Sequence, residues 1–135
     1  MSMSNQTEND ILKAILVGTD PAWRASATSY VALFTADPTE TGAFTNEATY
    51  TGYARVALTK SSAWADGGST FTNANIIEFP LCTAGANTVT HYAICTLSTG
   101  GQIVTSGALN ASLNISAGIK PQLSAGSLPV VADYS

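Results

Sequence analysis

Charge is what this sequence has least of. Only 10% of its 135 residues are Asp, Glu, Lys or Arg, against roughly 25% in an ordinary soluble domain. The five Lys and Arg stand singly and the formal net charge is −4, so there is no basic stripe to neutralise phosphates, which argues against a nucleic-acid partner. No apolar run approaches the roughly 18 residues that cross a bilayer, and no membrane segment is expected. Met1-Ser2-Met3-Ser4-Asn5-Gln6 lacks the positive start of an export signal, and Ile11–Val17 is short and interrupted by Lys13, so no cleaved signal is expected either. Cysteine is scarce too. Cys82 and Cys95 are expected to be reduced and buried as small hydrophobes, with a disulfide open in principle.

What is present is 45% hydrophobic residues, enough to exclude disorder by charge excess. A chain of this length buries roughly two-thirds of its unfolded surface in one core. We expect a single domain over 1–135, with a helical segment over 1–20 and a β-sandwich over 28–132. Thr7-Glu8-Asn9-Asp10 offers a Thr cap with acids in the first turn, and Ile11, Leu12, Ile15 and Leu16 recur at helical spacing on one face. Gly18, Asp20 and Pro21 stop the helix. About three turns is too short to stand alone in water, so this face needs either the sandwich or another subunit to lie against.

After Trp23 the pattern changes to short runs of aromatic and β-branched residues: Ser29–Thr35, Tyr53–Thr59, Thr70–Phe79, Thr88–Leu97, Gln102–Leu109, Ala111–Ser116 and Ser127–Ala132. Turn signals such as Asp37-Pro38, Asp66-Gly67-Gly68 and Thr99-Gly100-Gly101 separate them. The expected fold is mainly β, an antiparallel, jelly-roll-like β-sandwich with one short N-terminal α-helix. From Phe79 to Ala132 the only formal charge is Lys120. Strand edges in monomers are normally guarded by charge or proline; here either loops cover them or other protein chains do.

Chemistry-bearing constellations are sparse. The single histidine, His91, lies in Thr88–Leu97, where period two puts Val89, His91, Ala93 and Cys95 on one face. Residues four apart in a strand are roughly 13 Å apart, so His91 and Cys95 cannot form a nucleophilic pair. Cys82, His91 and Cys95 form a three-ligand zinc set only on paper, because no CxxC or HxxxH spacing supports it; a hydrogen-bonded, half-buried histidine is expected. Asp37, Glu40 and Glu47 sit in a turn-rich stretch and are expected to be solvated rather than an acid/base pair. There is no GxGxxG, phosphate loop or GxSxG. Neither an enzyme nor a cofactor is expected. Trp23, Trp64 and the five tyrosines are the residues a sugar-binding module would use, but core packing is the commoner role for such rings.

Tyr30-Val31-Ala32-Leu33-Phe34-Thr35-Ala36-Asp37-Pro38, Glu40-Thr41-Gly42, Glu47 and Tyr50-Thr51-Gly52-Tyr53-Ala54-Arg55-Val56, followed by Ile77-Glu78-Phe79-Pro80, Val89–Ile94 and Ser106–Leu109, resemble in order a family of small virion proteins of tailed bacteriophages. Members of that family are often labelled tail fibre proteins, and similar small β proteins act as capsid cement or decoration. The resemblance implies a structural role in the virion and no catalytic residues. A first expectation is a cement protein that contacts the major capsid protein and itself, as a homotrimer; the alternative is a tail fibre or adaptor component contacting tail proteins. The candidate assembly interface is Ile11, Leu12, Ile15 and Leu16, and the competing role for these four is to close one end of the sandwich.

Overall fold

A computed structural model describes residues 2–131. Its largest element is a five-stranded antiparallel sheet, in the order β1 (Ser2–Met3), β8 (Ile103–Ser116), β7 (Ala86–Cys95), β2 (Thr28–Phe34) and β3 (Val56–Thr59). The second layer is in two pieces: β10 (Val130–Val131), β5 (Thr70–Asn73) and β4 (Trp64–Asp66), and the pair β6 (Ile77–Glu78) with β9 (Gln122–Leu123). Every strand pairing is antiparallel. The fold is mainly β with an N-terminal helix, α1 (Asn5–Leu16), and its layers pack as a sandwich. The expected Ser127–Ala132 strand narrows to β10, and Ala132 lies outside the described residues.

Strand β2 sits in the middle of the large sheet, and its register shows how both faces are used. Val31 lies opposite Ile94 and Leu33 opposite Tyr92; these four join Phe79, Ile77, Leu123 and Leu128 in the core between the layers. Directly opposed residues share a face, so Ala32 with Ala93, and Tyr30 with Cys95, turn the other way, into a smaller cluster with Phe34 and Ile103. Val31 to Phe34 are consequently all buried, a continuous apolar run of the kind that a strand covered on both sides needs.

Two irregularities correct the simple period-two reading. Val89 pairs with Leu113 but His91 pairs with Ala108, so the four residues Leu109–Ser112 stand opposite the single residue Thr90, with Leu109 still packed on the main core. The shift moves Val89 off the face of His91 and into the main core. It also explains why Gln102–Leu109 and Ala111–Ser116 read as two strands: they are the two halves of β8. Nearer its start, Ile94 faces Thr105 while Cys95 faces Ile103, leaving Val104 as an extra residue, the geometry of a bulge that bends the strand. The expected strand Thr70–Phe79 is likewise broken, into β5 and β6, because the Asn73 side chain bonds the chain around it: its Nδ2 donates to the carbonyls of Asn75 (2.8 Å) and Ser124 (2.9 Å), and its Oδ1 accepts from Leu128 N (3.0 Å).

Gly52 is a glycine whose identity the fold requires. Its φ is +98°, and a Cβ there would stand 2.6 Å from the Leu81 carbonyl oxygen, which combines a left-handed backbone with a contact that no side chain accommodates.

Candidate assembly surface

The helix is built and fastened at one end only. Ser4 is the N-cap, with φ −70° and ψ 154°, and its Oγ accepts from Thr7 N at 3.2 Å. The expected cap, Thr7, is instead the third helical residue, buried, with its hydroxyl 3.0 Å from that of Ser4. Both residue types cap helices; the choice falls on Ser4 because the backbone there is already tied, Ser4 N donating to Val104 O (3.2 Å) and Asn5 N to Glu40 O (2.8 Å). The bulge at Val104 is thus where the arm joins the sheet. Thr7 Oγ1 donates to Ile103 O (3.4 Å) and accepts from Gln102 Nε2 (3.0 Å).

Asp10 completes this polar latch. Its carboxylate accepts from Trp23 Nε1 (2.9 Å), Gln6 Nε2 (2.9 Å) and Gln102 Nε2 (3.2 Å). Burial pulls its pKa upward, but these three donors and the charge of Lys13 outweigh that and hold the carboxyl below its ordinary range. Trp23 belongs to a second, one-turn helix that sequence patterning missed, α2 (Ala22–Ala25). Lys60 Nζ holds its end by donating to the carbonyls of Trp23 (2.6 Å) and Arg24 (3.4 Å).

Beyond the latch the helix is bare. Ile11 is half-buried, and with Ala14, Ile15, Pro21 and Trp23 it lines a groove of about 410 Å³ between α1 and α2. Leu12, Ile15 and Leu16 are 54%, 70% and 76% exposed, and Val17, which follows them as the C-cap, is 73% exposed. These side chains do not close the sandwich, whose core is filled without them. Monomers scatter single exposed aliphatics, but four on one turn and a half of helix form a patch. Val17 and Ala14 went unnoticed among the candidate residues; the uninterrupted run Ala14-Ile15-Leu16-Val17 was the signal for them.

A second cluster accounts for residues of the tailed-phage motif. The Arg55 side chain is only 3% exposed and its guanidinium grips Glu47 through two bonds, Nε to Oε2 and Nη2 to Oε1, both 2.8 Å. Its Nη1 donates to the carbonyls of Leu97 (2.7 Å) and Gly100 (2.9 Å), and it lies 4.9 Å over the Phe44 ring. Tyr53 Oη donates to Glu47 Oε2 (2.6 Å) and accepts from Leu33 N (3.2 Å); burial, then the Glu47 carboxylate, push this phenol far above its usual range. Glu47 is therefore not a solvated loop carboxylate. It is the acceptor that fixes Tyr53 and Arg55, and Arg55 in turn ties the loop before β3 to the β7–β8 turn. Asp37, by contrast, is exposed and caps its own turn by accepting from Thr39 N (2.8 Å).

The other candidates for chemistry stand apart. Cys82 is in the core between the layers and Cys95 on the opposite face of the sheet, both free and buried; burial raises the Cys95 thiol to about 12. His91 is half-buried with Nδ1 2.8 Å from Thr90 Oγ1. Among the described residues no group of three His, Cys, Asp or Glu is placed to hold a metal ion. Trp64 packs its half-buried ring on the main core.

A sandwich held by buried polar clamps, with an apolar arm on its edge, fits the class of small virion proteins of tailed phages that the motif residues resemble. The particular family follows from a family model described as Podophage GP4 fiber I protein gp80, which matches residues 2–131. The chain belongs to this family. No curated protein matches it.

Proposed function

We propose that this protein is a non-enzymatic structural component of the phage tail, a fibre-base or adaptor module in the virion that attaches to a neighbouring protein through its N-terminal arm. The observation that carries this reading is the contrast within α1: a first turn locked to the sheet by Ser4, Thr7 and Asp10, and a distal half whose Leu12, Ile15 and Leu16 are exposed. The family's fibre label supports the tail over the head. Cement on the major capsid protein, in homotrimers, is the second reading, favoured by a 135-residue chain that carries no heptads or repeats with which to extend as a fibre shaft.

Immunogold labelling of virions with antibody to the chain, together with its copy number per particle, tests the assignment. Label at the tail and tens of copies or fewer support it; label over the head with hundreds of copies would replace it with cement. Leu12→Glu with Leu16→Glu tests the arm. The doubly substituted protein should stay folded and fail to join particles, whereas unfolding would make the helix part of the core.

A further inference from the structure

We infer that the cleft between the two helices and the β7–β8 turn receives a cationic side chain, an arginine presented by the neighbouring tail protein to which the arm attaches. Attachment through the arm is the premise; the cleft supplies the chemistry of the contact. It holds about 560 Å³, within the range of ligand sites, and is walled by Gln6, Asp10 and Trp23 on one side and by Thr96, Leu97 and Gln102 on the other. Asp10 stands in it as a carboxylate with no counter-ion. The ion pairs among the described residues are Arg24 with Asp20, Arg55 with Glu47 and Lys120 with Glu78, whereas Asp10 is bonded by the neutral donors Gln6, Gln102 and Trp23. Lys13, one turn along, is exposed and acts on it only through space. Among the described residues no Lys or Arg lines the cleft.

What the cleft has left to offer is mostly acceptors. Oδ2 of Asp10 takes two of its bonds and Oδ1 only one, and a carboxylate has about four acceptor sites, so Oδ1 has room for a further donor. The Oε1 atoms of Gln6 and Gln102 accept no bond from the described residues, because both amides are engaged through Nε2. The donors are nearly spent. Trp23 Nε1 is committed to Asp10 (2.9 Å), and Gln102 Nε2 uses both protons, on Thr7 Oγ1 (3.0 Å) and Asp10 Oδ2 (3.2 Å). A guanidinium carries five N–H donors and no acceptor, and it is attracted to an indole ring, so it matches this inventory. A saccharide matches it less well, since each hydroxyl accepts as well as donates. A second copy has no free arginine to give: Arg24 is held by Asp20 and Arg55 is buried against Glu47.

The indole N–H resonances of Trp23 and Trp64 give the test its readout and its internal control. Titrated into the labelled protein, Nα-acetyl-arginine amide should shift the Trp23 signal and leave that of Trp64. The citrulline analogue, of the same shape without the charge, should bind about tenfold more weakly, the loss of one charged hydrogen bond. Asp10→Asn should abolish the shift. Because that change also loosens the latch, Gln6→Lys is the second variant: Gln6 is exposed and four residues before Asp10, so the new ammonium sits on the carboxylate and blocks the probe at an unchanged melting temperature. In add-back to tails from a phage lacking this gene, Gln6→Lys should lower the bound copies about tenfold. Full binding of Gln6→Lys to tails would overturn the arginine contact and leave attachment by the arm intact, whereas failure of the unsubstituted protein to bind would overturn attachment itself. No Trp23 shift with the arginine probe, or equal binding of the citrulline one, would also overturn the cationic site. A Trp23 shift with methyl glucoside alone would make the occupant a saccharide.

Discussion

Glu47→Gln removes the charge that faces a guanidinium with almost no access to water, and its cost follows from the geometry. Breaking one partner of a buried ion pair costs about 3–5 kcal/mol, because the other charge is left desolvated. Arg55 keeps the Leu97 and Gly100 carbonyls, and Glu47 retains 17% exposure, so the lower end, about 3 kcal/mol, is expected. For 135 residues at about 2.1 cal/mol/K each, the unfolding entropy is about 0.28 kcal/mol/K, and the melting temperature should fall by about 11 °C. The protein supplies its own control. Lys120 and Glu78 form an ion pair of similar length, 2.9 Å, with both side chains nearly half exposed, and Glu78→Gln should cost under about 1 kcal/mol. Differential scanning calorimetry of both variants, with Arg55→Met and the Glu47→Gln/Arg55→Met double variant closing the cycle, measures the difference. Equal, small effects of Glu47→Gln and Glu78→Gln would refute the reasoning, as would a zero coupling energy between Glu47 and Arg55.

Three further predictions follow from local geometry. Gly52→Ala should destabilise by about 3 kcal/mol in urea unfolding, the sum of a strained φ and a backbone clash at Leu81. Cys95, whose thiol is raised to about 12, and Cys82, equally buried, should resist Ellman's reagent at pH 8 in the native protein and both react in urea. The Asp10 carboxyl is held low in the folded arm, so the stability it contributes is present above the unfolded value of 3.8 and is lost as pH falls through the lower folded value. In a Trp64→Phe background, Trp23 fluorescence should stay constant down to about pH 4 and change below it, and Asp10→Asn should abolish the dependence.

The strands were legible because their residues are aromatic and β-branched and their turns carry Gly, Asp and Pro, so β2 and β7 fall within two residues of where patterning puts them. What escaped is whatever depends on partners distant in sequence. Ser4 and Thr7 are equally good caps by type, and only the Val104 and Glu40 carbonyls, supplied by a remote strand and a loop, select Ser4. Glu47 and Arg55 are eight residues apart with a turn between them, a spacing that belongs to neither helix nor strand. The two-residue strand β9 has no periodicity to read, and β6 was legible only as part of the longer run Thr70–Phe79. Of the arm, the apolar residues were visible but not their exposure, since a helical stripe looks the same whether the sandwich or another chain covers it.

The four-residue bulge at Leu109–Ser112 has a consequence for how this fold tolerates change. Register in a strand is ordinarily unforgiving, because one inserted residue turns every later side chain to the wrong face. Here β8 carries two separate registers, joined by a segment in which Leu109 packs on the main core and Asn110 Nδ2 donates to Ser127 O (3.0 Å). Residues 103–108 are indexed against His91–Cys95 and residues 113–116 against Ala86–Val89, and neither index depends on the length of the segment between. A residue added at Ala111–Ser112, past these two anchors, would therefore enlarge the bulge and leave the register of both halves of β8 unchanged.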